Sequence, residues 1–513
     1  ALLAKKITGG SIMNRRHFLG STLSAAVAAS LPGSASAALV NTLTTVSSSI
    51  TGRTGDGSEV TLEAAALEEL KGTLRGNLLL AGDPGYDIAR KLLNPSFDKF
   101  PALVVQPSGA TDVASAVTFA RERNLLVAVK CGGHSFSGKS TCNGGMQIDL
   151  SALMRGCHVD RANKTAHVAG GSLLGDLDHE CMAQGLVTTA GTVSHTGVGG
   201  LSLGGGFGRL ARKYGLTLDN IKSVDIVTAD GKLRHASADE NPELFWGVRG
   251  GGGNFGVVTN FEFALHEMDR TVIAGDVVFP AERAKEVFRF YAEAMDAAPD
   301  ELGMDLVMAA PPGGEPGAVI IHAVYSGDHS KAEAALPPFA KLGEPLANTI
   351  GPKDYVALQR VWDDSDPRHG GNYIKGGFVT EIDDAQIDAI VDGFEGHPDR
   401  ATTFFYQPSG GAINRVAEDA TAFPNRSVVN GPAVVVSWNQ GVDRQPHVDY
   451  IREYWSTVEK FTDGFYTNTG DFETQNDINK NYRGNYRRLV ALKDQYDPTN
   501  LFRLNINVKP SKA

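Results

Sequence analysis

Residues 130–141 read KCGGHSFSGKST and residues 197–208 read GVGGLSLGGGFG. Glycine reaches positive φ without strain and lets backbone N–H groups approach an anion closely. Either segment alone reads as a pair of turns. Together, with His134 set in the first, they predict a large phosphorylated cofactor lying against backbone, with the imidazole facing it.

The flanks say how that first segment is delivered. Residues 111–124 read as a helix capped by Thr111, with Val113, Ala116, Val117 and Ala120 on one face. Residues 125–130 follow as a buried strand that ends at Cys131. Further strands are expected at 146–150, 165–169, 224–228 and 257–265. From about 271 to 440 strands alternate with helices near 281–297 and 383–394, the pattern of an α+β second domain. A helix over 479–496 closes at Asp497-Pro498, and 501–508 is an extended tail. Gly251-Gly252-Gly253-Asn254-Phe255-Gly256 matches G-x-G-x-x-G. The β-branched run after it reads as a strand, whereas a dinucleotide fingerprint of the Rossmann type needs a helix there, so that reading is set aside.

Composition narrows the partners. The chain has 513 residues, 48 Lys+Arg against 59 Asp+Glu, and a formal net charge of −11. No basic run offers a footprint for a phosphate backbone, which excludes nucleic acid as a partner. The 59 glycines exceed the roughly 36 expected at a ~7% share, and the excess falls in the glycine-rich segments and in 250–253. Cys131, Cys142, Cys157 and Cys181 show no C-x-x-C spacing, so neither a zinc site nor a dithiol motif is supported. Buried free thiols are the favoured reading, with a Cys131–Cys142 disulfide left open.

At the N-terminus, Asn14-Arg15-Arg16-His17-Phe18-Leu19 starts a twin-arginine pattern, followed by an apolar run over 23–31 and Ala35-Ser36-Ala37 as a cleavage-type triplet. The run is too short for stable membrane insertion. Residues 1–12 precede Met13 and read as an upstream extension. The chain is therefore expected to be periplasmic or secreted after twin-arginine export, a route used by proteins exported folded.

KCGGHSFSGKST, GTVSHTGVGGLSLGGGFGRLARKYGLTLDNI (191–221), LFWGVRGGGGNFGVVTNFEF (244–263) and NYRGNYRRLVALKDQYDPTNLFRLNINV (481–508) resemble, in order, flavoproteins of the vanillyl alcohol oxidase / p-cresol methylhydroxylase superfamily, and the tail resembles its berberine bridge enzyme-like branch. The resemblance implies an α+β fold: a two-subdomain FAD-binding module with an inserted substrate domain over an antiparallel sheet. The expected boundaries are 1–37 for the extension and signal, 38–59 for a linker, 60–270 for the FAD-binding domain, 271–460 for the substrate domain and 461–513 for a C-terminal segment returning to the flavin.

His134 matches the family's histidine that bonds the flavin 8α-methyl group. The implied flavin contacts are Gly132, Gly133, Ser135 and Gly138 in the first loop, and Thr196, Gly197, Gly199, Gly200, Gly205, Gly206 and Gly208 in the second. Gly256, Val258, Asn505 and Asn507 complete them. Where bicovalent members carry a second tether, a cysteine four residues before the Gly-Val-Gly-Gly run, this chain has Val193, so a single covalent link through His134 is expected. Thr196 stands where residue size is associated with oxygen access, and its Val-like shape leaves room for oxygen.

The resemblance implies hydride transfer from a small hydroxylated substrate (sugar, alcohol or secondary metabolite) to the flavin, a base taking the proton, and oxygen as acceptor. The alternatives are a dehydrogenase with a non-oxygen acceptor and a flavin-carrying binding protein without turnover. Tyr466 is the first candidate base. The family's Tyr-x-Asn-Tyr ends here in Thr469 rather than Tyr. His195, Tyr406, Asn414 and Lys375 are the remaining catalytic candidates.

Overall fold

Strand β3 (Val127–Lys130) carries the chain to the glycine-rich segment. It belongs to a four-stranded sheet with β1 (Asn77–Leu80), β2 (Leu103–Gln106) and β4 (Met146–Asp149), in the order β1-β2-β4-β3. Because β3 and β4 run parallel, a long crossover must join them, and residues 131–145 are that crossover. His134 thus leaves the carboxyl end of a parallel strand, where ligands of such sheets collect. Helix α1 (Ala110–Glu122) precedes β3 and buries Val113, Ala116, Val117 and Ala120 completely, as their spacing predicts. Its N-terminus differs from expectation: Gly109 is the N-cap, not Thr111, and makes no side-chain cap bond. Instead the Asp112 carboxylate accepts the backbone N–H groups of Arg75, Gly76 and Ser108. The helix ends on Asn124 at φ 49°, a left-handed position Asn tolerates.

The computed structural model describes residues 46–512 apart from 315–316, 364–369 and 470–473, so the twin-arginine segment lies outside the described residues. Residues from Val46 onward form one compact unit. Folded structure begins within the stretch expected to be a linker. Ile50–Arg53 pairs antiparallel with Glu59–Leu62 across a Thr-Gly-Asp-Gly-Ser turn, and Arg53 hydrogen-bonds through its backbone to Gly144 and Leu126.

A second sheet is antiparallel. Its strands are β5 (Cys157–Asp160), β6 (Thr165–Ala169), β7 (Ile221–Thr228), β8 (Leu233–Ser237) and β9 (Gly256–Ala264), in the order β8-β7-β9-β6-β5. Helix α2 (Val198–Gly204) contributes Val198 and Leu203 to the core packed on it. Residues 252–254 make a single 3-10 turn and lead directly into β9, as the β-branched sequence predicts.

The third sheet is built from β10 (Thr271–Pro280), β11 (Leu302–Ala310), β12 (Ala318–Tyr325), β13 (Gly370–Gly376), β14 (Arg400–Pro408) and β15 (Asn430–Asn439). The order is β10-β12-β11-β14-β15-β13, all antiparallel, with Ala347–Asn348 and Gly351–Asp354 on the β10 edge. Helices α3 (Ala284–Asp296), α4 (Asp384–Asp392) and α5 (Gln445–Val458) cover one face through Phe288, Tyr291, Ile387, Ile451 and Trp455. The other face is left for the site.

The helix expected over 479–496 is two pieces, Gln475–Asn481 and α6 (Tyr486–Tyr496). Arg483 takes φ 49° before Gly484 and interrupts the helical ladder. All four cysteines are free thiols, and burial pushes Cys131 up to about 11 and Cys142 up to about 12. Among the described residues no helix is long and apolar enough to cross a membrane.

Candidate active site

A cavity of about 620 Å³ lies between the glycine-rich loops and the uncovered face of the third sheet. Gly132, Gly133, His134 and Ser135 line it from the β3–β4 crossover, Thr196 and Gly197 from the loop entering α2, and Gly199 and Gly200 from the first turn of α2. Gly256 and Val258 on β9 and Asn505 on the tail complete that wall. The two loops meet backbone to backbone: a Cβ on Gly132 would lie 2.3 Å from the Gly197 nitrogen, and a Cβ on Gly197 equally close to the Gly132 nitrogen. No side chain fits at either position.

Other expected contacts act from behind this wall. Gly138 forms the turn whose carbonyl accepts Lys99 Nζ at 2.7 Å. Gly208 packs on loop backbone, its Cβ position 1.8 Å from the Ala190 oxygen. Gly205 and Gly206 hold Tyr466, whose ring is 2.9 Å from the Cβ position of Gly205 and whose hydroxyl accepts the Gly206 N–H at 2.9 Å. Asn507, also expected to touch the flavin, is not among the residues that line the cavity, although Asn505 and Ile506 are; its Oδ1 is buried and unpartnered among the described residues.

His134 and His195 are joined directly. His134 Nε2 lies 2.6 Å from His195 Nδ1, and the rings are 4.7 Å apart. His195 Nε2 lies 3.3 Å from the Asp363 carbonyl oxygen, while the Asp363 carboxylate accepts Ser194 N–H and Oγ–H at 2.8 and 2.6 Å. A carbonyl only accepts, so this arrangement places the His195 proton on Nε2 and makes Nδ1 an acceptor. His134 then donates from Nε2, which leaves its Nδ1 with a lone pair, 3.4 Å from Thr196 Oγ1.

Tyr466 reaches the cavity, with its hydroxyl accepting from Gly206 N–H and from Asn468 Nδ2 at 2.8 Å. Burial lifts its pKa above the ordinary phenol value, against the lowering by those two donors. At neutral pH it is a phenol whose own proton is free to point outward, a donor rather than a base.

The remaining catalytic candidates do not face the cavity. On β14, Thr403, Phe405 and Gln407 line it, so strand alternation turns Tyr406 to the helix-covered face, where its hydroxyl donates to Gln386 Oε1 at 2.5 Å and its ring stacks on Tyr291. On β13, Asn372 and Ile374 line the cavity and Lys375 has the opposite parity. Asn414 sits in a loop rather than a strand, accepting Gly410 N–H at 2.9 Å and donating to the Val428 carbonyl at 2.9 Å.

Side chains that residue type did not single out complete the substrate-facing wall: Asp305, Trp362, Asn372, Thr403, Gln407 and Ser437, interleaved with Val307, Ile374, Phe405 and Val435. Apart from Trp362, which lies in a turn ahead of β13, their common signal is parity on β11, β13, β14 and β15, legible only once the covered face is known. Behind the wall, buried Asp178 accepts Gln359 Nε2 at 3.2 Å, and burial raises its pKa to about 7 against the lowering by Gln359 and Arg209. A carboxyl whose folded pKa exceeds its unfolded value stabilises fully below the unfolded value and loses that contribution up to the folded one. Stability is thus expected to fall from about pH 4 to about pH 7 through this group and to level beyond. Urea midpoints measured across that range should be flatter in Asp178→Asn, which keeps an acceptor for Gln359.

The cavity fits FAD on this structure's own terms. One wall is glycine backbone, and the hydroxyl of Tyr482, which lines the cavity, is buried without a hydrogen-bond partner among the described residues. Such groups cost ~1–3 kcal/mol each unless a ligand satisfies them.

Known proteins agree with that geometry. Residues 101–237 match the FAD binding domain family, and residues 465–509 match the berberine and berberine-like family. An FAD-linked oxidoreductase of Dictyostelium discoideum is 34% identical over 415 residues, 80% of this chain and 89% of that protein. A glucooligosaccharide oxidase of Sarocladium strictum is 28% identical over 461 residues, 83% of this chain and 91% of that protein. The solved 6-hydroxy-D-nicotine oxidase of Arthrobacter nicotinovorans has a TM-score of 0.78 at 28% identity, covering 85% of this chain and 98% of its own. The fold and site define an FAD-dependent α+β enzyme of the vanillyl alcohol oxidase superfamily. The chain belongs to the berberine bridge enzyme-like FAD-linked oxidoreductases.

Proposed function

We propose that this enzyme is an exported oxidase that holds FAD through one covalent bond to His134 and oxidises a small hydroxylated molecule, with oxygen as acceptor. The observation that carries the reading is the His134–His195–Asp363 relay, which assigns the His134 proton to Nε2 and leaves Nδ1, 3.4 Å from Thr196 Oγ1, the unprotonated nitrogen of a residue that lines the cavity. A neutral imidazole nitrogen is the form that can bond an electrophilic carbon. Among the described wall residues none stands in for the second tether's cysteine. Val193 lines it where bicovalent relatives have cysteine, and Cys131, which also lines it, is kept a protonated thiol by burial, its pKa near 11.

Bound FAD supplies a two-electron acceptor. The chain's own residues do the rest. Gly132, Gly197 and Gly199 let the cofactor approach backbone, and Asn505 and Tyr482 close on it from the tail side. Tyr466, fixed by Gly206 and Asn468, donates a hydrogen bond toward a substrate hydroxyl. Phe405, Val307 and Trp362 exclude water, and Asn372, Thr403, Gln407 and Ser437 offer polar groups to the substrate. The domain limits follow the same division, with 60–270 and the hairpin at 50–62 that packs on it holding the cofactor, 271–460 the substrate, and 461–513 returning to the flavin. Relatives that oxidise glucooligosaccharides and 6-hydroxynicotine support oxygen as acceptor.

The test is anaerobic addition of cellobiose, xylobiose and (R)-6-hydroxynicotine to flavin-loaded enzyme, followed by air. Bleached flavin absorbance and then peroxide release are expected. Turnover that needs an added artificial acceptor would replace oxygen by another carrier, and flavin that no such compound bleaches would reduce the protein to a flavin carrier.

A further inference from the structure

Asp305 is the one carboxylate among the described residues that line the cavity. It lies on β11, directly opposite His322 on β12, which in turn lies directly opposite Asp276 on β10. All three share the uncovered face of the sheet, since Leu306, Ile321 and Val277, their chain neighbours, are in the core beneath the helices. Side chains directly opposite across antiparallel strands have Cβ atoms ~4.5–5.5 Å apart. The row therefore runs across the strands from the cavity to the surface.

Its chemistry is graded along that direction. His322 is buried, with a side chain 4% exposed, and its Nδ1 lies 2.6 Å from Asp276 Oδ1, whereas the Asp276 side chain is 41% exposed. Arg209 donates from Nε to His322 Nε2 at 3.3 Å, which marks Nε2 as the nitrogen without a proton and puts the His322 proton on Nδ1, facing Asp276. The Trp362 ring, which lines the cavity, lies 6.2 Å from that of His322. The charged groups around Asp305 are His322 and Arg209, which favour its ionised form, and Asp276, which opposes it. Burial is the largest influence and raises its pKa, and the Tyr291 hydroxyl lies beneath the sheet nearby. Asp178 and Tyr355 face Arg209 from the other side.

We infer that Asp305 takes the substrate's proton and that His322 and Asp276 carry it to solvent. The inference rests on the oxidase reading above and names the base that reading requires. The substrate O–H or N–H bond breaks, its proton bonds a carboxylate oxygen of Asp305, and the electron pair stays on the substrate heteroatom. Asp305 then passes a proton to His322 Nε2 as the long Arg209 bond yields, His322 passes its Nδ1 proton to Asp276, and Asp276 releases it to water. Asp305 is the residue that touches substrate, and His322 and Asp276 act through it.

The experiment uses flavin-loaded enzyme without oxygen, with cellobiose, xylobiose and (R)-6-hydroxynicotine as probes. Flavin absorbance reports reduction and a pH-indicator dye reports proton release. Asp305→Asn, with flavin content and melting temperature of the wild type, is expected to bleach about 100-fold more slowly and to lose the acid limb of its pH profile. In His322→Gln and Asp276→Asn, proton release is expected to trail bleaching, whereas in the wild type the two coincide. Asp305→Asn bleaching within about threefold of wild type, or proton release in His322→Gln that keeps pace with bleaching, would overturn the inference. If no probe bleaches the wild type, the oxidase reading fails separately, and infrared titration of the substrate-free holoenzyme decides the row. A carboxyl band absent in Asp305→Asn whose midpoint shifts in His322→Gln supports it, and a midpoint indifferent to His322 overturns it.

Discussion

Acid precipitation of His134→Ala is expected to give a colourless pellet and a yellow supernatant, where the wild type gives a yellow pellet with the mass of one added flavin. The pellet should lose its flavin, because neither side chain at or near the second tether's place can substitute: Val193 has no heteroatom, and the Cys131 thiol is held protonated with a pKa near 11. His195→Ala should act through His134. Without the acceptor at 2.6 Å, the His134 proton is no longer assigned to Nε2, so the share of acid-stable flavin should fall while reversible binding persists. Acid-stable flavin in His134→Ala would point to a different tether and remove the central claim of the proposed function.

Lys493→Met is expected to be the most destabilising single substitution outside the site, by about 3–5 kcal/mol, the cost of leaving the partner of a buried ion pair uncompensated. Lys493 and Asp497 side chains are both 0% exposed and 2.7 Å apart. Lys493 Nζ also donates to the Asn254 and Phe502 carbonyls, each at 2.8 Å, and Asp497 accepts the N–H groups of Leu501 and Phe502. One ammonium therefore ties α6, the glycine-rich turn before β9 and the tail together. The Arg488–Glu243 pair provides the contrast: it is 40% and 59% exposed, and Glu243→Ala should cost under about 1 kcal/mol. Urea denaturation of the two variants separates them, and equal midpoints would show that the buried pair contributes no more than the exposed one.

The parts of the molecule legible in the sequence are those where local chemistry and final geometry coincide. The glycines at 132 and 197 must be glycine because two backbones touch there, and the run after Gly256 had to be a strand because Val257, Val258 and Thr259 are β-branched. What stayed hidden depended on partners distant in sequence. Tyr406 and Phe405 are neighbours of equal promise until helices α3, α4 and α5 cover one face and decide which of them meets the cavity. The Asp305–His322–Asp276 row exists only through strand register, and no spacing in the chain announces it. The break at Arg483 and the hairpin at 50–62 were local signals, a left-handed residue before Gly484 and a Gly-Asp-Gly turn, each outweighed by a longer pattern around it.

The tail has a further consequence. Asn505 and Ile506 line the cavity, and Asn254, in the turn before β9, bonds the Ile506 carbonyl and the Val508 N–H. Since translation runs from N- to C-terminus, every other described wall of the cavity is synthesised before these residues leave the ribosome. A chain without Asn505 and Ile506 therefore has an open cavity, and the tail supplies the last wall to form.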